Sequence, residues 1–393
     1  MFEMKLEPWE KIGDRFDALK PLMIAGANPV LTGAPETGKL YRIYPEHCVS
    51  GNGSPYHGNM RVGREAEKLI VYFNGGGVAF DEYSTARPWN AFTEHIADTY
   101  YSNDGEWFGD FFIRQGIDSA REDNPFREWS MINLLYTNGD FHSGDGEYPY
   151  TAQDGSQRLM PFHGYRNAME TISLAKKYLP EPDTLLIAGS SAGGFGAAQL
   201  AEDIIEAFPS AGNITVCVDS SLLFSERWET IQRELWHTPE HIRRRTKGDN
   251  LTLDNLCALH EKHPKVKILF LCSARDALLV TAQSALDGKG QTHSREGGVR
   301  FQSDLKNMCK HLADEITDAG LYIFTGPMDA PGYDEDALTL HCALNNPFLF
   351  DHDEEGVSIQ NWLIGAVQGD VRRLGLAHLN EQEERSHAPN KAH

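Results

Sequence analysis

The stretch TLLIAGSSAGG, residues 184–194, contains the clearest indication of the fold. Its first five residues are apolar enough for a strand that is buried on both faces, and an alanine-rich segment typical of a helix follows. A serine flanked by glycines between a strand and a helix is the pattern of the G-x-S-x-G nucleophile elbow. We therefore take Ser191 as the candidate nucleophile.

Apolar runs and helical periodicity alternate along the rest of the chain. Five further runs are typical of buried strands, at residues 68–73, 130–136, 214–218, 266–272 and 321–324. Residues 165–179, 192–208 and 301–316 have the spacing of amphipathic helices. This alternation predicts a mostly parallel central sheet with helices on both faces. Together with the elbow, it indicates an α/β-hydrolase-like fold. In such sheets the chemistry lies at the carboxyl ends of the strands.

The predicted organisation is a single domain over residues 1–380, followed by a polar tail over residues 381–393. Residues 220–264 contain no clear strand, and we expect them to form a helical, lid-like insertion over the active end of the sheet. A structural flap is an equally valid interpretation of this segment.

Charge and composition exclude several classes of protein. The chain has 393 residues, with 36 Lys and Arg against 57 Asp and Glu, and its formal net charge is −21. This acidity argues against nucleic acid as a partner, because phosphate binding needs clustered basic residues. No run approaches the roughly 20 apolar residues of a membrane-spanning helix, and the first eleven residues lack a signal-peptide pattern. The six cysteines form no CxxC pair, which favours reduced thiols and a cytoplasmic location. Secretion is the alternative if a signal sequence was removed.

A nucleophilic serine needs a base and an orienting acid, which follow it in this order in the α/β-hydrolase fold: Ser, acid, His. Asp276 comes just after the strand at 266–272, and Asp219 after the strand at 214–218 is its competitor. Among the seven histidines after Asp276, we take His341 as the base, because it follows the last predicted strand. His352 lies in an acidic run and is the weaker candidate. The remaining five are His293, His311, His378, His387 and His393.

The oxyanion that develops on the substrate also needs donors. Ala192, the residue after the nucleophile, would supply one backbone N–H. Asn74-Gly75-Gly76-Gly77 follows the strand at 68–73 and is similar to the HGGG-type loop of esterases. Gly76 and Gly77 are the candidate donors there. A phosphate loop is excluded, because Val78 and the residue after it replace the Lys-Ser/Thr pair of that motif.

Polar residues also follow the strand at 130–136. In this block, residues 138–145, Asp140 and His142 are candidate pocket-wall or structural hydrogen-bonding groups. The sequence has no HExxH motif, and His237 and His241 lie near a proline, so we expect neither a metal site nor a cofactor.

The residues together resemble the family of pectin acetylesterases and Notum carboxylesterases. The likeness lies in five short blocks in the family's order: YFNGGG at 72–77, YTNGDFHSGD at 136–145, GSSAGG at 189–194, SARDAL at 273–278 and HC at 341–342. Val78, Ala79 and Thr137 replace an aromatic residue and cysteines that are usual in the family, so its disulfide positions are missing. The resemblance implies a serine carboxylesterase with Ser191, Asp276 and His341 as its triad.

We expect an enzyme that hydrolyses short, acetyl-type esters of a small-molecule or saccharide substrate without membrane insertion. The alternatives are a deacylase for longer lipid or protein acyl groups, a thioesterase or peptidase with the same triad, and a non-catalytic binding protein on this scaffold. The aromatic residues of the insertion are interleaved with charged residues. That pattern favours packing onto the sheet over lining a deep acyl tunnel.

Overall fold

The computed structural model describes residues 28–89, 98–104, 114–328 and 332–380. The predicted tail at 381–393, with His387 and His393, and the first residues of the chain lie outside the described residues.

A nine-stranded sheet forms the centre of the molecule. In chain order its strands are β1 (Tyr41–Ile43), β2 (Gly58–Arg61), β3 (Glu65–Phe73), β4 (Trp129–Leu134), β5 (Thr184–Ser190), β6 (Asn213–Asp219), β7 (Lys267–Ser273), β8 (Gly320–Phe324) and β9 (Arg373–Leu374). Their spatial order is β1-β2-β4-β3-β5-β6-β7-β8-β9. All contacts from β4 to β9 are parallel, and only the two contacts of β2 are antiparallel. The predicted fold class is confirmed.

Both faces of this sheet are buried, which explains why its central strands have continuous apolar sequences. Alternate residues of β3 point in opposite directions. Leu69, Val71 and Phe73 belong to one core, and Ile70 and Tyr72 belong to the other. The same alternation continues across β5, β6 and β7.

Helices cover the two faces unequally. The longer ones are α1 (Gly164–Ala175), α2 (Ala192–Ala207), α3 (Leu251–Lys262), α4 (Ala277–Leu286), α5 (Arg295–Glu315) and α6 (Ile359–Val367). Buried residues of α1 to α5 pack in the first core, and α6 packs in the second through Trp362 and Leu363. Shorter helical segments are Glu82–Thr85, Trp228–Thr230, Ile231–Leu235, Glu240–Arg243, Phe348–Asp351 and Leu376–Leu379.

Residues 220–264 contain four helical segments, which include a π-helical turn at Ile231–Leu235 and end with α3. Trp228 and Trp236 are fully buried in the first core. The Trp236 indole donates a hydrogen bond to the carbonyl oxygen of Ala79, 2.8 Å away. The insertion is therefore packed firmly beside the loop that follows β3.

Several elements had no counterpart in the sequence analysis. The edge strands β1, β2 and β9 are short, and a two-stranded hairpin, Gly146–Thr151 with Gln157–Phe162, lies outside the main sheet. Smaller two-stranded pairs join Pro88–Trp89 to Tyr101–Ser102 and Asp353–Glu354 to Val357–Ser358.

Strand register brings the chemistry-bearing loops to one edge of the sheet. Ser190 at the end of β5 is paired with Asp219 at the end of β6, and Asp219 is paired with Leu271 near the end of β7. Because neighbouring strands lie about 4.8 Å apart, the residues that follow these three strand ends are neighbours in space.

Candidate active site

Ser191 lies at a sharp turn between β5 and α2. Its φ of 58° and ψ of −127° are an unfavourable backbone conformation for a residue with a side chain. Glycines make this turn possible, since a Cβ on Gly189 would collide with the Gly193 carbonyl and one on Gly194 with the Ser221 hydroxyl. Ser190 is fully buried, whereas Ser191 is partly exposed. The serine of this turn can therefore reach a substrate.

His341 forms a close pair with Asp276. Both carboxylate oxygens of Asp276 lie 2.8 Å from Nδ1 of His341. The Asp276 side chain is fully buried and that of His341 is 10% exposed. With Nδ1 protonated and donating to Asp276, the neutral imidazole has Nε2 available to accept a proton.

Asp276 is held in place by the element that follows it. It is the N-cap of α4, where Oδ1 accepts hydrogen bonds from the backbone N–H groups of Leu278 and Leu279 at 3.1 and 3.0 Å. Thr339, two residues before His341, exchanges backbone hydrogen bonds with residues 275 and 277 on either side of Asp276. The acid and the histidine loop are thus fixed to each other through their backbones.

The environment of His341 favours its charged form. Burial by itself lowers the pKa of the imidazole, but the negative charge of Asp276, its hydrogen bond and the charge of Asp219 together raise the pKa above its ordinary value. An imidazolium formed during a reaction would therefore be stabilised at this position.

Ser191 and His341 lie on neighbouring loops at the same sheet edge. Within the described part of the chain, no hydrogen bond joins the Ser191 hydroxyl to His341. Catalytic hydrogen bonds are often long before substrate binds and shorten in the complex. The Asp276–His341 pair is already formed in this structure.

The glycine loop after β3 passes directly against the elbow. A Cβ on Gly75 would lie 2.5 Å from the Ser190 carbonyl oxygen and 2.7 Å from Ser191 Cβ, so only glycine fits there. Gly77 has a φ of +84°, and its carbonyl accepts a hydrogen bond of 2.8 Å from the Tyr136 hydroxyl. In the described residues, no backbone bond outside the helices and strands uses the N–H groups of Gly76 or Gly77. Ala192 is the first residue of α2, where the backbone N–H has no partner within the helix. These donors remain available to an oxyanion.

Asp140 and His142 are inside the protein rather than on a pocket wall. Asp140 accepts backbone hydrogen bonds from Gly164 and His142, and burial raises its pKa to about 7. The Nε2 atom of His142 lies 2.8 Å from the carbonyl oxygen of Asn74, and burial lowers the pKa of this imidazole to about 4. A neutral His142 thus donates to the start of the glycine loop and supports it from behind.

The competing acid Asp219 is not bonded to a histidine. Its carboxylate contacts the backbone that follows His341, an arrangement considered in detail below. The competing histidines have partners away from Ser191. His352 and His378 both bond Glu354, and His293 bonds Asp336. The sequence analysis did not identify a role for Asp219 beyond that of competitor, because a hydrogen bond to a distant backbone has no sequence signature.

The described residues contain no group of three His, Cys, Asp or Glu side chains arranged to hold a metal ion, and no helix long and apolar enough to cross a membrane. All six cysteines are free, and all but Cys257 are buried.

Comparison with known proteins identifies a family and a similar fold. The sequence profile of a family described as Pectinacetylesterase matches residues 45–270, more than half of the chain. The solved structure of the Wnt deacylase Notum from Drosophila superimposes with a TM-score of 0.52 at 16% sequence identity, covering 82% of this chain and 91% of that one. At this identity the likeness concerns the fold. No curated protein matches the sequence.

Proposed function

This chain belongs to the pectinacetylesterase family, and from that premise we propose that it hydrolyses short, acetyl-type esters of a hydroxylated or carbohydrate substrate through Ser191, His341 and Asp276. The observation that carries the proposal is the buried Asp276–His341 pair at the same sheet edge as a strained, partly exposed serine. Membership of the family makes the protein a carboxylic ester hydrolase; the triad and the substrate are the proposed parts.

The proposed reaction has two halves. His341 Nε2 takes the proton of the Ser191 hydroxyl while the serine oxygen attacks the ester carbonyl. Asp276 keeps the imidazole in the required tautomer and stabilises its cation. When the tetrahedral intermediate collapses, His341 returns the proton to the leaving alcohol and an acyl-enzyme remains. A water molecule, activated by the same histidine, then releases the acid and regenerates Ser191.

Stabilisation of the oxyanion falls to the backbone in this proposal. Ala192, at the first turn of α2, and Gly76 or Gly77 would donate their N–H groups to the developing negative charge. The positive end of the α2 dipole supports the same charge. Loss of one such donor typically costs about 3–4 kcal/mol of transition-state stabilisation. Each of these steps uses the protein's own groups and water, so we propose no cofactor and no metal.

The proposed substrate class follows from the family and from the packing of the insertion. The Drosophila protein is described as a deacylase of Wnt, so the same fold also serves acyl groups on another kind of molecule. Here the large aromatic side chains of the insertion are used in the core, which favours a shallow acyl site. A longer-chain deacylase or thioesterase is the alternative that substrate profiling would separate.

The decisive experiment uses the full chain with Ser191→Ala. This variant should fold normally and lose nearly all hydrolysis of p-nitrophenyl acetate, because the nucleophile is gone. A fluorophosphonate probe should label the unchanged protein at Ser191 and leave the variant unlabelled. Ser210→Ala, at an exposed position, is the matched control and should retain full activity.

Two outcomes would contradict the proposal. Full activity in Ser191→Ala would show that another residue performs the attack. Folded wild-type protein that neither takes the probe nor cleaves any ester would favour a non-catalytic binding protein.

The remaining proposals concern organisation and location. We propose that residues 1–380 form one α/β-hydrolase domain, that residues 220–264 are its insertion, and that residues 381–393 are a tail. From the spacing of the cysteines in the sequence we propose a reducing location such as the cytoplasm, with secretion as the alternative if a signal sequence was removed.

A further inference from the structure

Asp219 is a fully buried carboxylate at the end of β6 that the proposed reaction does not use. Its carboxylate oxygens accept four hydrogen bonds. Oδ2 accepts from the Ser190 hydroxyl at 2.8 Å and from the backbone N–H groups of Ala343 and Leu344 at 2.9 Å each, and Oδ1 accepts from the Ser220 hydroxyl at 3.0 Å. Burial raises the pKa of Asp219 above its ordinary value, but the hydrogen bonds from Leu344, Ala343 and Ser190 act in the opposite direction and favour the ionised form.

One side of this network is the loop that carries His341. The backbone N–H of Cys342 donates to the Ser220 hydroxyl at 3.2 Å, and that hydroxyl in turn donates to Asp219. The three peptide N–H groups after His341 are thus all bound to Asp219, two directly and one through Ser220. Cys342 has a φ of 63°, which turns successive N–H groups toward one point, as in anion-binding nests.

The other side is the nucleophile elbow. The backbone N–H of Ser191 donates to the main-chain oxygen of Asp219 at 2.8 Å, and the Ser221 hydroxyl donates to the Ser191 carbonyl at 2.6 Å. The hydroxyl hydrogen of Ser190 is used by Asp219, so the Tyr72 hydroxyl is the donor in its 2.7 Å contact with Ser190. Asp219 therefore contacts the serine loop and the histidine loop at once.

We propose that Asp219 is a positioning residue that sets the distance between Ser191 and His341 and whose charge supports the His341 imidazolium. The proposal rests on the proposed function of these two residues. Backbone strain supports the positioning role independently of charge. Ser220 and Cys342, on the two sides of the carboxylate, both have positive φ. Such strain persists only where the surroundings impose it.

The charge of Asp219 acts on a single group that titrates near neutral pH. The titratable groups around the carboxylate are Tyr72, Cys217, Cys272, Cys342 and His341. Burial raises the pKa of the phenol and of the three thiols, so these four are neutral at pH 7. Asp276, which contacts Nδ1 of His341, carries the other negative charge. Removing the Asp219 charge should lower the pKa of His341.

The test is Asp219→Asn in the full chain, with kcat, KM and the pH profile measured on p-nitrophenyl acetate. Asparagine has the same shape and its oxygen can still accept from the two N–H groups, but its amide nitrogen cannot accept from the Ser220 hydroxyl, which holds Cys342, and it has no charge. We expect kcat to fall about ten- to a hundredfold through mispositioning, with KM almost unchanged. Since His341 must be neutral to act as base, its lowered pKa should move the acid limb of kcat/KM to lower pH, by about half a unit or more.

Two control variants separate charge from structure. Ser220→Ala removes the link to Cys342 but keeps the carboxylate, so kcat should fall several-fold while the acid limb stays in place. Asp370→Asn makes the same change in net charge at an exposed site and should behave as wild type. If Asp219→Asn does not fold, Ser220→Ala still tests the positioning role.

The outcomes distinguish this role from the proposed function. An active wild-type enzyme whose kcat and acid limb are unchanged by Asp219→Asn, or whose kcat is unchanged by Ser220→Ala, would overturn the role of Asp219 alone. A wild-type protein that cleaves no ester and takes no fluorophosphonate probe would overturn the proposed function and this role together.

Discussion

Contact, rather than backbone conformation, requires glycine at position 75. A Cβ there would lie within 2.7 Å of both the Ser190 carbonyl oxygen and Ser191 Cβ, and neither atom belongs to a flexible side chain. Cβ atoms essentially never approach so closely, so either the glycine loop or the elbow would have to move. Movement of the loop would shift the candidate oxyanion donors, and movement of the elbow would shift the nucleophile.

We expect Gly75→Ala to lower kcat on p-nitrophenyl acetate by about a hundredfold, since a displacement of about 1 Å is enough for that loss. Gly212→Ala is the matched control, because a Cβ at Gly212 meets nothing within 4 Å. The measurement is steady-state kinetics, with circular dichroism to verify folding. Wild-type kcat in the Gly75 variant would show that the loop is not part of the catalytic machinery.

The Asp276 side chain both caps a helix and orients His341. The same oxygen caps α4 and accepts from His341. The cap fixes the carboxylate before any substrate arrives, so the orientation of the imidazole does not depend on the ligand. Such preorganisation is the main way in which a protein lowers the cost of charge development.

The central strands could be predicted from the sequence because burial on both faces leaves continuous apolar runs. The six predicted strands correspond to β3 to β8, and α1, α2 and α5 were predicted within a few residues. The edge strands could not be predicted in this way. β9 has only two residues, and the hairpin Gly146–Thr151 with Gln157–Phe162 has one exposed face and mixed composition. Short, half-exposed strands lack the periodicity that distinguishes them from loops.

The candidate site could be predicted only in part, for a related reason. Ser191 has a local signature, and Asp276 and His341 follow from chain order in a known fold. The role of Asp219 depends on backbone N–H groups more than 120 residues away, and any residue type could present those groups. The burial of Asp140 and His142 beneath the glycine loop likewise results from tertiary packing.

The packing of residues 220–264 bears on the length of the acyl group that the site can accept. Phe141 stacks on Phe195 with ring centroids 4.1 Å apart, and Trp228 and Trp236 close around them. Phe195 is on the first turn of α2, so this aromatic cluster occupies space next to the elbow. Side chains that are fully buried in a core cannot also line an open tunnel for a lipid chain.

We therefore expect kcat/KM on p-nitrophenyl esters to be greatest from acetate to butyrate. Each added methylene contributes about 0.8 kcal/mol only where the protein buries it, and a shallow site ceases to do so after about two to four carbons. The check is a series of esters from acetate to palmitate at equal detergent concentration. A maximum at octanoate or beyond would show a deep pocket and favour the lipid deacylase alternative.

The whole molecule adds a long-range constraint on the substrate. A formal net charge of −21 produces a negative potential that repels anions and attracts cations. Pectic polymers are acidic, so this charge opposes their approach unless a local basic surface compensates for it. Neutral acetylated sugars experience no such barrier. Membership of the family therefore indicates ester hydrolysis, but it does not decide whether the substrate is acidic or neutral.

This repulsion can be measured with two substrates that differ only in charge, an acetylated neutral sugar and the corresponding acetylated uronic acid. At low ionic strength we expect kcat/KM to be several-fold lower for the uronic acid. Added salt should reduce the difference, because the screening length falls from about 30 Å at 0.01 M to about 10 Å at 0.1 M. The neutral sugar is the internal control, since its kcat/KM should remain constant. A preference for the uronic acid that weakens with salt would instead reveal a basic binding surface near Ser191 and make acidic saccharides the favoured substrates.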